Sequence, residues 1–178
     1  VTGRLPIAGD IINLTVPANW ALVGSTDSPA GITIDDRCSV ATSINITNNG
    51  IISGIGGNGG SGSYVPTAGG RGIHNTSTKT VTVRNYGTIA GGGGGAGSAF
   101  LTFWGGGGGA PYGKGAARTG VSYPEADGKD AVLLVAGESG YYQSTSNSTT
   151  QNGRNGPGGL MGVAGPTSPG ANSASAYG

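Results

Sequence analysis

The chain has little of what catalysis, electrostatic binding or a helical core requires. Of its 178 residues one is His, one Cys and one Met, two are Phe, and only 10% are charged. The single cysteine, Cys38, excludes a disulfide framework within the chain and a cysteine-rich zinc site, and reads as an inert, half-buried thiol. A formal net charge of +1 leaves no electrostatic footprint for nucleic acid or an anionic membrane. No apolar run approaches the ~20 residues of a membrane span. The start, Val1-Thr-Gly-Arg-Leu-Pro, lacks a signal-peptide pattern and, opening on Val, predicts a processed chain or an excised fragment. No segment carries a convincing helical stripe, so α-helix is expected to be essentially absent.

Chemistry is equally sparse. His74, in Gly72-Ile-His-Asn-Thr, reads as a polar loop or strand-edge residue, with no catalytic constellation around it. The acids Asp35, Asp36, Glu125, Asp127, Asp130 and Glu138 show no metal-loop spacing, and Asp127-Gly-Lys-Asp130 lacks the remaining oxygen ligands of a calcium loop. Windows such as Gly91 to Gly97 match a dinucleotide glycine pattern trivially, without a Gly-Lys-Ser/Thr ending or a following helix. The Asn-x-Ser/Thr triplets at Asn13, Asn45, Asn75 and Asn147 occur at the level chance gives an Asn/Ser/Thr-rich chain. The expectation is a non-enzyme with no catalytic residue, no metal and no cofactor.

What the chain has is glycine, 40 residues of it, and its spacing carries more information than its amount. From Gly54 to Gly62 the exceptions, Ile55, Asn58 and Ser61, fall every third position. A period of three is neither the 3.6 of an α-helix nor the 2 of a strand, but that of the left-handed polyproline-II conformation. Glycine helices of this type can pack so closely that backbone N–H and C=O groups bond between helices, satisfying polar groups the conformation leaves unpaired. One non-glycine edge per turn would face outward. A bundle, rather than a flexible linker, must be dense and cooperative. Ordering a residue costs ~1–2 kcal/mol, more than average for Gly, against a net ~0.5–1.5 kcal/mol per hydrogen bond.

The region up to about Asn49 reads as β. Asp10-Ile-Ile-Asn-Leu-Thr-Val, Trp20-Ala-Leu-Val, Gly31-Ile-Thr-Ile-Asp and Ser43-Ile-Asn-Ile-Thr are short, β-branched and separated by turn residues. An internal repeat follows, in which Ile44-Asn-Ile-Thr-Asn-Asn-Gly-Ile-Ile-Ser-Gly-Ile-Gly-Gly matches Val81-Thr-Val-Arg-Asn-Tyr-Gly-Thr-Ile-Ala-Gly-Gly-Gly-Gly, 37 residues on. Each unit is strand, Asn-x-Gly turn, short strand, glycine helix. One such pair of strands cannot bury its apolar face alone, so the units should stack.

Ser63-Tyr-Val-Pro-Thr-Ala and Ser98-Ala-Phe-Leu-Thr-Phe-Trp are each flanked by glycine runs, as loops between an outgoing and a returning glycine helix would be. Thr119-Gly-Val-Ser-Tyr-Pro-Glu-Ala-Asp marks a third excursion, Ala131-Val-Leu-Leu-Val-Ala a strand returning to the β region, and Tyr141 to Gln151 a polar loop. Gly153, Gly156, Gly159, Gly162 and Gly165, with Pro157 and Pro166 between them, predict further polyproline-II-type helices packed through Leu160, Met161 and Val163. Exposed aromatics on loops held by a rigid scaffold are where binding is expected. The candidate contact set is Tyr64, Val65, Phe100, Leu101, Phe103 and Trp104, with Tyr123, Tyr141 and Tyr142 as further candidates.

Asn48-Asn-Gly-Ile-Ile-Ser-Gly-Ile-Gly-Gly-Asn-Gly-Gly, Gly70-Arg-Gly-Ile-His-Asn-Thr-Ser and Thr80-Val-Thr-Val-Arg-Asn-Tyr-Gly-Thr-Ile-Ala-Gly-Gly, with aromatic loops between glycine runs, resemble the glycine-rich receptor-binding tips of tailed-bacteriophage fibres. The resemblance implies a virion-tail adhesin in which a β attachment region joins a sandwich of polyglycine-II helices whose distal loops bind a host outer-membrane protein. It implies a β-rich attachment region over residues 1–50 and a glycine-rich bundle with interleaved short strands over 51–178. It also implies a phage tail fibre or tail-tip protein as partner; one chain capping a trimeric fibre and a homotrimer both fit. Two alternatives remain open on sequence: a structural subunit of an extracellular filament, and an ice-binding protein resembling the glycine-rich springtail antifreeze proteins.

Overall fold

A computed structural model describes residues 5–60, 65–96, 106–116, 127–138, 141–143, 152–154 and 161. The protein is mostly strand and irregular backbone. It divides into two compact units, Val1–Gly54 with Arg71–Ala90, and Ile55–Gly70 with Gly91–Gly178. The boundary expected near residue 50 is therefore followed by a return of residues 71–90 to the first unit.

The first unit is a stack of parallel coils. Strands β1 (Ile11–Val16), β2 (Ala21–Val23) and β3 (Ile32–Ile34) form one coil; β4 (Ser43–Asn48), β5 (Ile51–Ser53) and β6 (Ile73–Asn75) form the next; β7 (Val81–Asn85) and β8 (Thr88–Ala90) begin a third. The sheets run β1-β4-β7, β2-β5-β8 and β3-β6, all parallel. The 37-residue repeat becomes the strand register itself, pairing Ile44 with Val81 and Ile51 with Thr88. Alternation sends Ile12, Ile44 and Val81, and Leu22, Ile52 and Ile89, to one interior. The middle coil is buried best: Ile46 is 1% and Ile52 0% exposed, whereas Val83, on the edge strand above Ile46, is 41% exposed.

The Asn-x-Gly turns close the corner between β4 and β5 and between β7 and β8. Asn48 is wholly buried, and its side-chain amide donates to Asn85 Oδ1 (2.8 Å) and to the Thr88 carbonyl (3.0 Å). Its Oδ1 accepts from Gly50 N (3.1 Å), and Asn85 Oδ1 accepts likewise from Gly87 N (3.3 Å). The side chains thus replace the ladder bonds that the turn interrupts. A short 3-10 turn, Asp36–Cys38, is capped by Asp35, which accepts from Arg37 N. His74 lies on β6, paired with Thr33 of β3.

In the second unit the chain runs in extended glycine segments, 55–60, 65–70, 91–96, 106–110, 113–116, 127–131 and 136–138, joined by hydrogen bonds between segments. The first segment lies among four others, and its bonds recur every third residue. Gly57 and Gly60 donate to Gly93 and Ala96; Gly56 and Gly59 donate to Pro111 and Lys114. Its carbonyls at Ile55 and Asn58 accept from Gly70 and Thr67, and those at Gly57 and Gly60 from Gly109 and Gly106. This is the expected polyglycine-II lattice.

Why the segments must be glycine follows from closeness rather than from backbone handedness. Among the described glycines only Gly9 has a positive φ. A Cβ on Gly56 would overlap the Gly109 carbonyl, one on Gly92 the Ile55 carbonyl, and one on Gly95 the Asn58 carbonyl. The third edge does face outward: Asn58 is exposed and Ile55 half-buried beside buried Gly56, Gly57 and Gly60.

Two expectations are corrected. Ala131–Ala136 is not a strand returning to the β unit. Ala131 is buried in the lattice, donating to Gly113 O (2.9 Å), and Val132 N donates to Val135 O (2.9 Å) in a turn that leaves Val132, Leu134 and Val135 exposed. The run is apolar and β-branched, but the lattice bonds of its flanks, Lys129 N to Glu138 O and Gly137 N to Gly108 O, hold it in the glycine unit. At Tyr141 and Gly153 the expected polar loop and polyproline-II start are instead paired strands, β9 (Tyr141–Gln143) antiparallel to β10 (Asn152–Arg154).

Candidate functional site

The lattice has two distinguishable ends. At one end Gly70 bonds with Ile55 and Gly92, Gly93 with Ala110 and Gly56 with Pro111, and the chain passes to the β unit at Gly54, Arg71 and Ala90. At the other end Gly60 bonds with Ala96 and Gly106, Ala96 with Gly107, and Ala116 with Gly106 and Gly128. The chain therefore leaves and re-enters the lattice at one common end for segments 61–64, 97–105 and 117–126. Neighbours on a bonded lattice are fixed within a hydrogen-bond length, so three otherwise unrelated stretches of sequence start from adjoining points.

Of the sequence-derived candidates, Tyr64, Phe100, Leu101, Phe103, Trp104 and Tyr123 lie outside the described residues, on these three connections. Val65 is described and is 67% exposed, next to buried Pro66, where the chain re-enters the lattice. Tyr141 and Tyr142 fall on β9, opposite Arg154 and Gly153.

Polar side chains on the third edge staple the lattice, a role the sequence reading did not assign. Asn58 Oδ1 accepts from Lys114 N (2.9 Å), and Thr67 Oγ1 accepts from Asn58 N (2.7 Å). Asp130 accepts from Lys114 Nζ (2.7 Å) and from Gly115 N (2.8 Å). The Lys114 bond, aided by the bond from Gly115 and the Lys114 charge, outweighs the opposing effect of burial and holds the Asp130 carboxyl below its ordinary value. The available signal was a polar residue wherever the glycine period breaks.

At the opposite end Pro111 and Tyr112 make a tight reversal. Tyr112 adopts φ 57°, an uncommon conformation for a residue with a Cβ, and is 48% exposed. The exposed Val132–Val135 turn follows Ala131, which is bonded to Gly113 next to this reversal.

The β unit has an open face of its own at the first coil. An apolar groove of about 600 Å³ is lined by Ile12, Leu14, Ile32, Ile34, Ile44 and Ile46, among others. It exists because nothing among the described residues stacks below β1 and β3 as they stack on β4 and β6. Among the described residues no three His, Cys, Asp or Glu side chains converge to hold a metal. His74 is engaged with a neighbour, its Nε2 lying 3.3 Å from Arg71 Nη1.

Comparison with known proteins supplies a context for this arrangement. The sequence model of the phage tail fibre adhesin Gp38 family matches residues 3–178. The crystal structure of the gp37-gp38 adhesin tip complex of the bacteriophage S16 long tail fiber contains a chain similar to this one, with 26% identity and a TM-score of 0.61. The match covers 90% of this chain and 60% of that one, so this chain spans about three fifths of that length. No curated protein matches the sequence.

Proposed function

The chain belongs to the phage tail fibre adhesin Gp38 family, and from that premise we propose that its distal loops bind an outer-membrane protein on the host bacterium. The observation that carries this reading is the common point of departure of residues 61–64, 97–105 and 117–126 from one end of the glycine lattice. These are the stretches that hold Tyr64, Phe100, Phe103, Trp104 and Tyr123, in a chain with only two Phe and two Trp. Aromatics give large contact area at low entropy cost, and a scaffold bonded at every third residue limits the ordering needed on docking. The contact set is Tyr64, Val65, Phe100, Leu101, Phe103 and Trp104, with Tyr123, Tyr141 and Tyr142 at its margin.

The first-coil groove then has a role as the attachment face. Its occupant is the distal end of a tail fibre protein, by analogy with the gp37-gp38 complex of bacteriophage S16. Ile12, Leu14, Ile32 and Ile34 supply the apolar area, and among the described residues no strand pairs with β1 or β3 on that side.

The test is saturation binding of the purified chain to intact Gram-negative host cells and to cells stripped of surface protein by protease. Saturable binding that disappears on stripping supports a protein receptor. Equal binding to stripped cells, or none to any strain of a broad panel, contradicts it.

A further inference from the structure

One corner of the β unit carries exposed chemistry that neither the core nor the glycine lattice uses. The first and second sheets are joined by Pro17-Ala-Asn-Trp20 in the first coil, Asn49-Gly50 in the second and Tyr86-Gly87 in the third. These connections stack. Asn49 N donates to Val16 O (2.9 Å) and Tyr86 N to Asn48 O (2.7 Å), while Ile51 N donates to Trp20 O and Thr88 N to Gly50 O (both 2.9 Å). Trp20, Gly50 and Gly87 thereby form one column, with Asn49 and Tyr86 in the column beside it.

The glycines in this column cannot be replaced cheaply. A Cβ on Gly50 would overlap the Pro17 and Trp20 carbonyls, and one on Gly87 the Gly50 carbonyl. The corner thus has a side-chain-free column, buried at Gly50 and exposed at Gly87, with an aromatic residue toward each end, Trp20 at 58% and Tyr86 at 74% exposure. Two coil steps separate them, about 10 Å at the usual strand spacing. Asn49 is exposed between them, and Arg84, two residues before Tyr86, is exposed on the outer face of β7. Among the described residues no hydrogen bond or ion pair engages the side chains of Trp20, Asn49, Arg84 or Tyr86.

A protein partner would require continuous apolar area, and here two aromatics, with exposed Pro17 and Ala18 beside Trp20, are set among polar Thr15, Asn19, Thr47, Asn49 and Arg84. Flat rings with polar neighbours suit a ligand that alternates C–H faces with hydroxyl groups. An uncommitted guanidinium suits phosphate or carboxylate. We propose that this corner is a binding site for an anionic surface saccharide, about two sugar units long. Trp20 and Tyr86 stack on the sugar rings, Asn49 bonds hydroxyls, and Arg84 pairs with the acidic substituent. The site is independent of the protein receptor assigned to the distal loops, and would add a second, weaker foothold on the cell surface.

The experiment uses the full chain carrying Trp104→Phe, which leaves Trp20 as the sole tryptophan of the two. The probe is the purified, phosphorylated core oligosaccharide of host lipopolysaccharide, with a neutral dextran oligomer of equal length as comparison. The expected result is a saturable change in tryptophan emission with the core oligosaccharide alone, weakened by salt. Tyr86→Ala and Arg84→Gln should each lower affinity at least tenfold with the melting temperature unchanged. No saturable change, equal binding of the neutral oligomer, or full affinity in both variants overturns the proposal, as does loss of tail-fibre-protein binding in those variants in place of oligosaccharide binding. In the Tyr86→Ala/Arg84→Gln background, which lacks the saccharide site, the cell binding that protease stripping removes reads the loop receptor alone, so the two proposals fail independently.

Discussion

Replacing Gly57 by alanine tests whether the glycine unit is held by backbone bonds at closest approach. A Cβ at this position would overlap the Thr67 carbonyl and lie 2.8 Å from Gly95 N. Restoring ordinary contact requires a shift on the order of 1 Å. That shift would disturb four bonds: Gly57 N to Gly93 O and Gly109 N to Gly57 O (both 2.8 Å), and Thr67 N to Asn58 O and Gly95 N to Thr67 O (both 3.0 Å). At ~0.5–1.5 kcal/mol each, the loss is roughly 2–6 kcal/mol. The reduced entropy of the unfolded alanine chain offsets ~0.4–1 kcal/mol of it. The net cost of about 1–5 kcal/mol corresponds to a melting shift of roughly 2–20 °C. Gly91→Ala is the matched comparison, because its Cβ would meet only the Gly70 carbonyl, at 3.3 Å. Thermal unfolding followed by calorimetry should separate the two variants, and amide exchange should rise for Thr67, Gly95 and Gly109, the donors of the disturbed bonds, in the Gly57 variant alone. Equal melting temperatures for Gly57→Ala and Gly91→Ala would refute the close-packing argument.

Three further outcomes follow from individual side chains. Asn48→Ala removes two donated bonds and one accepted bond from a wholly buried corner, so chemical denaturation should show a loss of about 2–4 kcal/mol in the β unit. Tyr112→Gly relieves a positive φ that costs an L-residue ~1–2 kcal/mol, less the entropy cost of glycine, so it should stabilise the glycine unit by roughly 0.5–1 kcal/mol. The folded Asp130 carboxyl titrates below its ordinary 3.8, so its contribution is complete above that value and is lost as pH falls through the depressed folded one. The pair is exposed and screened by solvent, so the effect is small; melting measured down the acid limb should show it in the parent and not in Asp130→Asn.

The repeat offset was visible in sequence because two successive coils use the same Asn-x-Gly corner, and identical corners give one constant spacing. The first coil hid its kinship because Pro17 to Trp20 inserts extra residues, moving its register to Ile11 with Ser43 and Ala21 with Ile51. The strand Ile73–Asn75 was hidden differently. It completes the second coil only after the glycine excursion 55–70, so a local reading of Gly72-Ile-His-Asn sees a polar edge rather than the partner of Ile32–Ile34. The period of three conveyed the lattice and its outward edge, since only glycine fits where a carbonyl meets the α-carbon of the next segment. Local pattern failed at Ala131–Ala136, where apolar composition suggested a buried strand and the lattice bonds on either side impose an exposed turn. Sequence marked the aromatic stretches as loops between glycine runs; that they leave the lattice at neighbouring points is a property of its three-dimensional bonding.

The most direct test of the adhesin reading is saturation binding to host cells by the parent chain and by Phe103→Ala/Trp104→Ala, each with its melting temperature recorded. The account predicts that the double variant keeps the parent melting temperature and loses the cell binding that protease stripping removes. Unaltered binding by the folded double variant would contradict the assignment of the distal aromatic loops as the receptor-binding surface.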